Sequence, residues 1–255
     1  MRSGAQWREY LKSEEARAFT GWNPSFLKGR QTQEPLPWGY RERVKAFLKS
    51  DTQLLHMGTG DGEFLLSLGH PYTQTTVTEG YEPNYKLCIN RLRPMGIEVY
   101  GTKGSDKLPF GDARFDVLIN RHESYNMSEA CRVLKPGGFF ITQQVGGRNN
   151  SALSYKLIKG FKPNMPDFNL ENQLPAFEKN GFRIMYKNQS YTRAWFKDLG
   201  ALCYFAKVTP WEFPGFSVDT CFAELMALQN EIDNRGAVET EYHRFILIAK
   251  KTCRN

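Results

Sequence analysis

Seven short runs rich in Val, Ile, Leu and Phe punctuate the chain, and most are separated by a segment of helical length. They read TQLLHM, TTVTE, IEVY, FDVLIN, GFFITQQV, FRIMYKNQS and RFILIAKK; PNYKLCINRLRPMG and NMSEACRVLKPGG are two of the intervening helical segments. Strands that alternate with helices build a parallel sheet wrapped on both faces. FDVLI and RFILIA are nearly unbroken apolar runs, as strands buried on both sides require. The expectation is an α/β, doubly wound sheet.

The 255 residues suffice for one large domain with insertions. With 40% apolar and 24% charged residues the composition is globular. No apolar run reaches the roughly 18 residues a membrane span needs, and MRSGAQWREYLKSEE lacks the apolar centre of a secretory signal. Five scattered cysteines without CxxC pairing argue against a disulfide framework and a zinc site, and fit a reducing cytoplasm. No metal, membrane or DNA partner is expected.

Residues 1–50 precede the first of these strands as an extension. Prolines 24, 35 and 37 interrupt its aromatic-rich GWNPSFLKGRQTQEPLPWGY. This extension holds ten Lys or Arg against five Asp or Glu, in a chain of net charge +7. A basic arm of this kind could touch RNA phosphates, although SEEARA within it suits a solvated amphipathic helix. Residues 51–255 form the main domain, with an insertion at 191–240 between the last two strands. That insertion joins AWFKDLGALCYFAKV, TPWEFPGF and CFAELMALQNEI, helical, turn-forming and helical in turn. Both extra pieces are candidates for covering a site, with Arg30, Trp38, Tyr40, Trp211 and Phe213 as candidate wall residues. Aromatic packing on the core is the competing explanation.

LLHMGTGDG places Gly58, Gly60 and Gly62 directly after the first strand. A triphosphate-binding loop would need GxxxxGK[ST], which is absent. A dinucleotide fingerprint would need a third glycine where Glu63 stands. A carboxylate there repels pyrophosphate and tolerates a cationic or zwitterionic cofactor. Glu79 ends the second strand, 17 residues after Gly62, where an acid grips ribose hydroxyls in doubly wound sheets. A solvated glutamate paired with Lys86 is the bland alternative.

LLHMGTGDG, TVTEGYEPN, LPFGDARFDVLINRHE and RVLKPGGFFITQQ occur in this order over residues 54–145. In this the chain resembles the class I S-adenosylmethionine-dependent methyltransferases, especially the methyltransferase type 11 branch. GWNPSFLKGR, PWGY and HRFILIAK are similar to a bacterial subgroup of it. The resemblance implies a Rossmann-like sheet of seven strands, mostly parallel with the last antiparallel. It also implies S-adenosyl-L-methionine as cofactor, held by Gly58, Thr59, Gly60 and Gly62, with Glu79, Gly80 and Asn84 on the ribose side. Two positions depart from the family: His56 stands where an acid is common, and Gly104 where an acid often reaches adenine. Ser105 or Asp106 is the substitute expected there.

The fourth strand ends in Asn120, followed by Arg121, His122 and Glu123, where open α/β sheets place ligand-facing groups. The backbone at Asn120, with Arg121, is expected against the cofactor. His122 is the candidate general base, and Glu123 its orienting partner or substitute; a structural histidine and an Arg121–Glu123 ion pair are the alternatives. Gln143 and Gln144 are buried amides in need of partners, and His243 is a weaker candidate. The leading expectation is methyl transfer to a small-molecule acceptor. RNA methylation, a non-catalytic cofactor-binding protein and, more distantly, a nucleotide-linked oxidoreductase are the alternatives.

Overall fold

The computed structural model describes residues 2–18, 24–102 and 107–252. The candidate adenine contacts Ser105 and Asp106, and Gly104, lie outside the described residues. Eight strands are present among those described: β1 (Gln31–Gln33), β2 (Leu54–Met57), β3 (Thr75–Glu79), β4 (Glu98–Gly101), β5 (Phe115–Arg121), β6 (Leu134–Val145), β7 (Phe182–Phe196) and β8 (Val238–Lys251). Their order in space is β4-β3-β2-β5-β6-β8-β7-β1. β2 runs parallel to β3 and β5, β3 to β4, and β5 to β6, whereas β8 is antiparallel to both β6 and β7.

Seven of these strands fall on the seven runs read from the sequence. The expected count of seven is nevertheless corrected to eight. The far end of the 15-residue β7 would otherwise be an open edge, and such an edge exposes unpaired backbone groups. β1, from the N-terminal extension, pairs antiparallel with its far end at Phe196, Trp195 and Ala194. β7 also runs on past 190 to Phe196, and β8 begins at Val238, so the connecting segment spans 197–237. Both added lengths alternate buried with exposed residues, the period-2 pattern of a half-covered ladder.

The helices are α1 (Gly4–Glu15), α2 (Tyr40–Lys45), α3 (Glu63–Ser67), α4 (Glu82–Arg91), α5 (Met127–Val133), α6 (Ser151–Leu157), α7 (Leu170–Lys179), α8 (Leu199–Val208) and α9 (Phe222–Arg235). Alternation along the strands divides the core. Val117, Ile119, Ile141, Ile246 and Ile248 pack with Trp38, Val44 of α2, Leu65 of α3 and Cys88 of α4. Leu118, Phe140, Phe245 and Leu247 face the other way, onto Val133 of α5 and Phe177 of α7. Phe140 stacks on Phe177 with ring centroids 5.7 Å apart; truncating a buried phenylalanine of this kind typically costs about 3–5 kcal/mol.

A third cluster joins the two extra pieces to each other. Leu11 of α1 packs with Leu199 and Leu202 of α8, Phe213, and Leu225 of α9. Asp198 caps α8 by accepting from the Ala201 N–H at 2.9 Å and also binds Arg30, which reaches back to Glu14 at 3.0 Å. Arg30 and Phe213 are thus part of this packing.

Candidate active site

The turn leaving β2 is built from left-handed backbone at alternate residues: Gly58 (φ +65°), Gly60 (φ +65°) and Gly62 (φ +79°). Side chains rarely adopt this conformation, so glycine is required on backbone grounds alone. The surroundings differ, however. A Cβ on Gly58 would lie 2.6 Å from Cβ and Cγ of Glu123, whereas one on Gly60 would meet nothing within 4 Å. Gly60 therefore faces open space, and its N–H donates to Glu79 Oε2 at 2.7 Å.

Glu79 Oε1 accepts from the Tyr81 N–H at 2.9 Å. Burial raises the Glu79 carboxyl pKa, while the N–H groups of Tyr81, Gly60 and Gly80 pull it down. Each carboxylate oxygen keeps a lone pair for a further donor. Lys86 pairs with Glu82, not with Glu79.

Around these strand ends several fully buried polar atoms lack partners: His56 Nε2, Thr78 Oγ1, both amide atoms of Asn84, and Asn120 Nδ2. Buried polar groups in native proteins are nearly always satisfied, so each of these atoms calls for a partner that the fold does not supply. Thr59 Oγ1 lies 2.9 Å from His56 Nδ1. Burial, then the charge of Arg121, lowers the His56 pKa to about 3. His56 is therefore a neutral hydrogen-bonding group near neutral pH, where the resemblance leads one to expect an anion.

At the end of β5, the Asn120 carbonyl accepts from Tyr40 Oη at 2.9 Å. Asn120 Oδ1 accepts from Gln144 Nε2 at 2.5 Å and from Thr142 Oγ1 at 3.0 Å. His122 follows in left-handed backbone (φ +60°), an unfavourable state for a side-chain-bearing residue and one that clusters at functional sites. Arg121 and His122 are exposed, yet burial heads the causes lowering both pKa values. Because both side chains are open to solvent, that lowering is moderated.

Trp38 Nε1 donates to Gln143 Oε1 at 2.8 Å, and Gln143 Nε2 lies 3.1 Å from His122 Nε2. With its oxygen taken by Trp38, the Gln143 amide offers His122 a donor. His122 Nε2 thus accepts, and the neutral imidazole carries its proton on Nδ1. The candidate base is turned into a donor: its acceptor nitrogen is occupied from within the fold. Glu123 stands over Gly58, on the glycine-loop side.

Of the residues singled out in sequence, Gly58, Thr59, Gly60 and Glu79 come together, as do Asn120, Arg121, His122, Gln143 and Trp38. His243 is tied into structure: its Nε2 is 3.0 Å from Gln189 Oε1 and its ring stacks on Tyr191 at 4.3 Å. Trp211 is half exposed. Sequence reading missed Arg244, whose charge acts on His122. Its signal was a cation opening an otherwise apolar strand.

Residues 55–142, from β2 to β6, match the methyltransferase domain family. The matched segment is about a third of the chain, and within it lie the glycine turn, Glu79 and the end of β5. Over part of its length the chain is 32% identical over 98 residues to phthiotriol/phenolphthiotriol dimycocerosates methyltransferase of Mycobacterium tuberculosis. That match covers 34% of this chain and 36% of the relative, so the chain spans about a third of that protein. A functionally unknown protein from Deinococcus radiodurans R1 shares the fold with TM-score 0.58 at 15% identity, over 87% of this chain and 90% of the other. The [4+2]-cyclase SpnF does so with TM-score 0.52 at 16% identity, over 98% and 95%. No helix among the described residues is long and apolar enough to cross a membrane.

Proposed function

We propose that the chain transfers a methyl group from S-adenosyl-L-methionine to a small-molecule acceptor. The observation that carries this is the buried Glu79 at the tip of β3, tied at 2.7 Å to the Gly60 N–H beside open space. A carboxylate fixed there has lone pairs for vicinal hydroxyls, and the turn leaves room for a ligand at Gly60. Asn84, Gly80, Thr59 and Asn120 complete the cofactor set, with Arg121 at its acceptor side. When bound, the cofactor supplies a sulfonium-borne methyl group, already a strong electrophile.

The chain's own residues then position and exclude. Trp38 and Gln143 fix the His122 ring, and the Nδ1–H of His122 is a donor for acceptor oxygen. Holding an acceptor in line accounts for much of the acceleration without a strong base.

Four of the ten cations of the N-terminal arm are held by acids within the fold. Arg8 and Lys12 pair with Asp219, Arg17 with Glu14, and Arg30 with Glu14 and Asp198. Calorimetry with S-adenosylhomocysteine and NAD tests the cofactor: binding of the first with no comparable response to the second is expected. A response to NAD alone would overturn it. Incubating small-molecule and RNA fractions with isotopically labelled donor tests the acceptor, and label confined to RNA would reverse that part.

A further inference from the structure

One face of the sheet holds two arginines that pair with no acid among the described residues. Alternation puts Arg121 on the side of Ile119, Gln143 on the side of Ile141, and Arg244 on the side of Ile246, all within one core face. The registers Arg121↔Gln143 and Val145↔Arg244 bring these positions onto adjoining strands. The His122 ring meets Gln143, and the charges of both arginines reach it.

The guanidinium of Arg121 has one described contact, the face of Phe64 at 5.5 Å. That of Arg244 donates to Asn149 Oδ1 and, at 2.9 Å, to the His243 carbonyl, and lies 4.8 Å from the Tyr242 ring centroid. Glu212 acts on Arg244 without forming an ion pair; its carboxylate is held by Asn149 at 2.8 Å and Asn150 at 2.5 Å. Burial lowers the pKa of both arginines; on Arg244 the electrostatic influence of Glu212 and Tyr242 opposes this, and the smaller influence of Arg121 adds to it. Two like charges kept together in a partly desolvated place oppose folding, and such arrangements concentrate at functional sites. An anion with two oxygens matches the guanidinium fork and removes the repulsion.

We propose that Arg121 and Arg244 bind an anionic group of the methyl acceptor, a carboxylate or a phosphate, with the Nδ1–H of His122 as a third donor. The word acceptor rests on the methyltransferase reading; the anion site does not. Arg121 follows Asn120 directly, so an acid held here stands beside the end of the strand assigned to the cofactor.

Thermal unfolding of the full chain tests the site without catalysis. Benzoate, acetate and inorganic phosphate are titrated at constant ionic strength against the neutral benzamide and acetamide. At least one anion is expected to raise Tm above its neutral counterpart or the salt control, and the rank of carboxylate against phosphate names the group. Arg121→Gln and Arg244→Gln should each abolish that difference, and Arg244→Lys should keep part of it. Equal responses to charged and neutral probes, or a difference that survives both glutamine variants, would overturn the proposal.

A second arm divides metabolite extract by anion exchange before incubation with labelled donor. Label in the retained small molecules, reduced at least tenfold in both glutamine variants, supports the proposal. Label only in the flow-through, or on RNA, overturns it. Absence of label together with absence of S-adenosylhomocysteine binding removes the methyltransferase reading, and the melting result alone then decides the anion site.

Discussion

Glu123 occupies the space that a side chain on Gly58 would need, its Cβ and Cγ standing 2.6 Å from an ideal Cβ there. Backbone conformation and packing thus demand the same glycine. Gly58→Ala is expected to cost about 1–3 kcal/mol from the left-handed backbone alone, with loss of S-adenosylhomocysteine binding. Adding Glu123→Gly removes both colliding atoms but does not relieve the backbone. Urea unfolding of the single and double variants checks this; a double variant restored to wild-type stability would refute the backbone contribution.

Glu79→Ala removes the acceptor that holds the Gly60 N–H and, in the proposed complex, the ribose. Weakening of S-adenosylhomocysteine binding by about 1.5–3 kcal/mol is expected, the usual worth of hydrogen bonds to a charged group. Titration calorimetry measures it, and unchanged affinity would take Glu79 out of the site.

The order Trp38 to Gln143 to His122 specifies a tautomer. Long-range nitrogen–proton NMR should find His122 neutral and protonated on Nδ1 at pH 7, since burial and the charges of Arg244 and Arg121 keep its pKa well below 6.5. His122→Ala is expected to slow turnover about tenfold to a hundredfold, as for loss of a donor to charge, while S-adenosylhomocysteine affinity changes little. Proton on Nε2, or an unaffected rate, would contradict this.

His56 and His243 predict acid sensitivity. Their folded pKa values, about 3 and about 4, lie below the ordinary 6.5, chiefly through burial. The unfolded chain therefore takes up protons that the folded chain refuses. The stabilisation is complete above about pH 6.5 and is lost as pH falls. Each group adds a slope of up to about 1.4 kcal/mol per pH unit, to about pH 4 for His243 and about pH 3 for His56. His56→Gln should flatten the acid limb of the stability curve, and an unchanged limb would rule the effect out.

The strand positions and the glycine loop were legible because local patterns encode them: apolar runs of strand length, turn glycines, and an acid at a fixed spacing. Gln31–Gln33 was not legible as a strand. Its three polar residues carry no periodic signal, and only the open edge of β7 makes them extended. Arg244 was hidden for a related reason. Its proximity to Arg121 arises from the pairing of β8 with β6, which joins residues far apart in the chain. The fate of His122 likewise turned on Trp38, 84 positions earlier.

The N-terminal strap is zipped to β7 through Gln33 and, five residues on, Trp38 donates its indole N–H to Gln143 near the middle of the sheet. Between these two anchorages there is almost no slack. Cleavage close to Pro35 would unclasp the sheet's rim and release the ring beneath the paired guanidiniums together. Susceptibility of that edge to proteases and disappearance of the anion response are therefore expected to arrive as a single event.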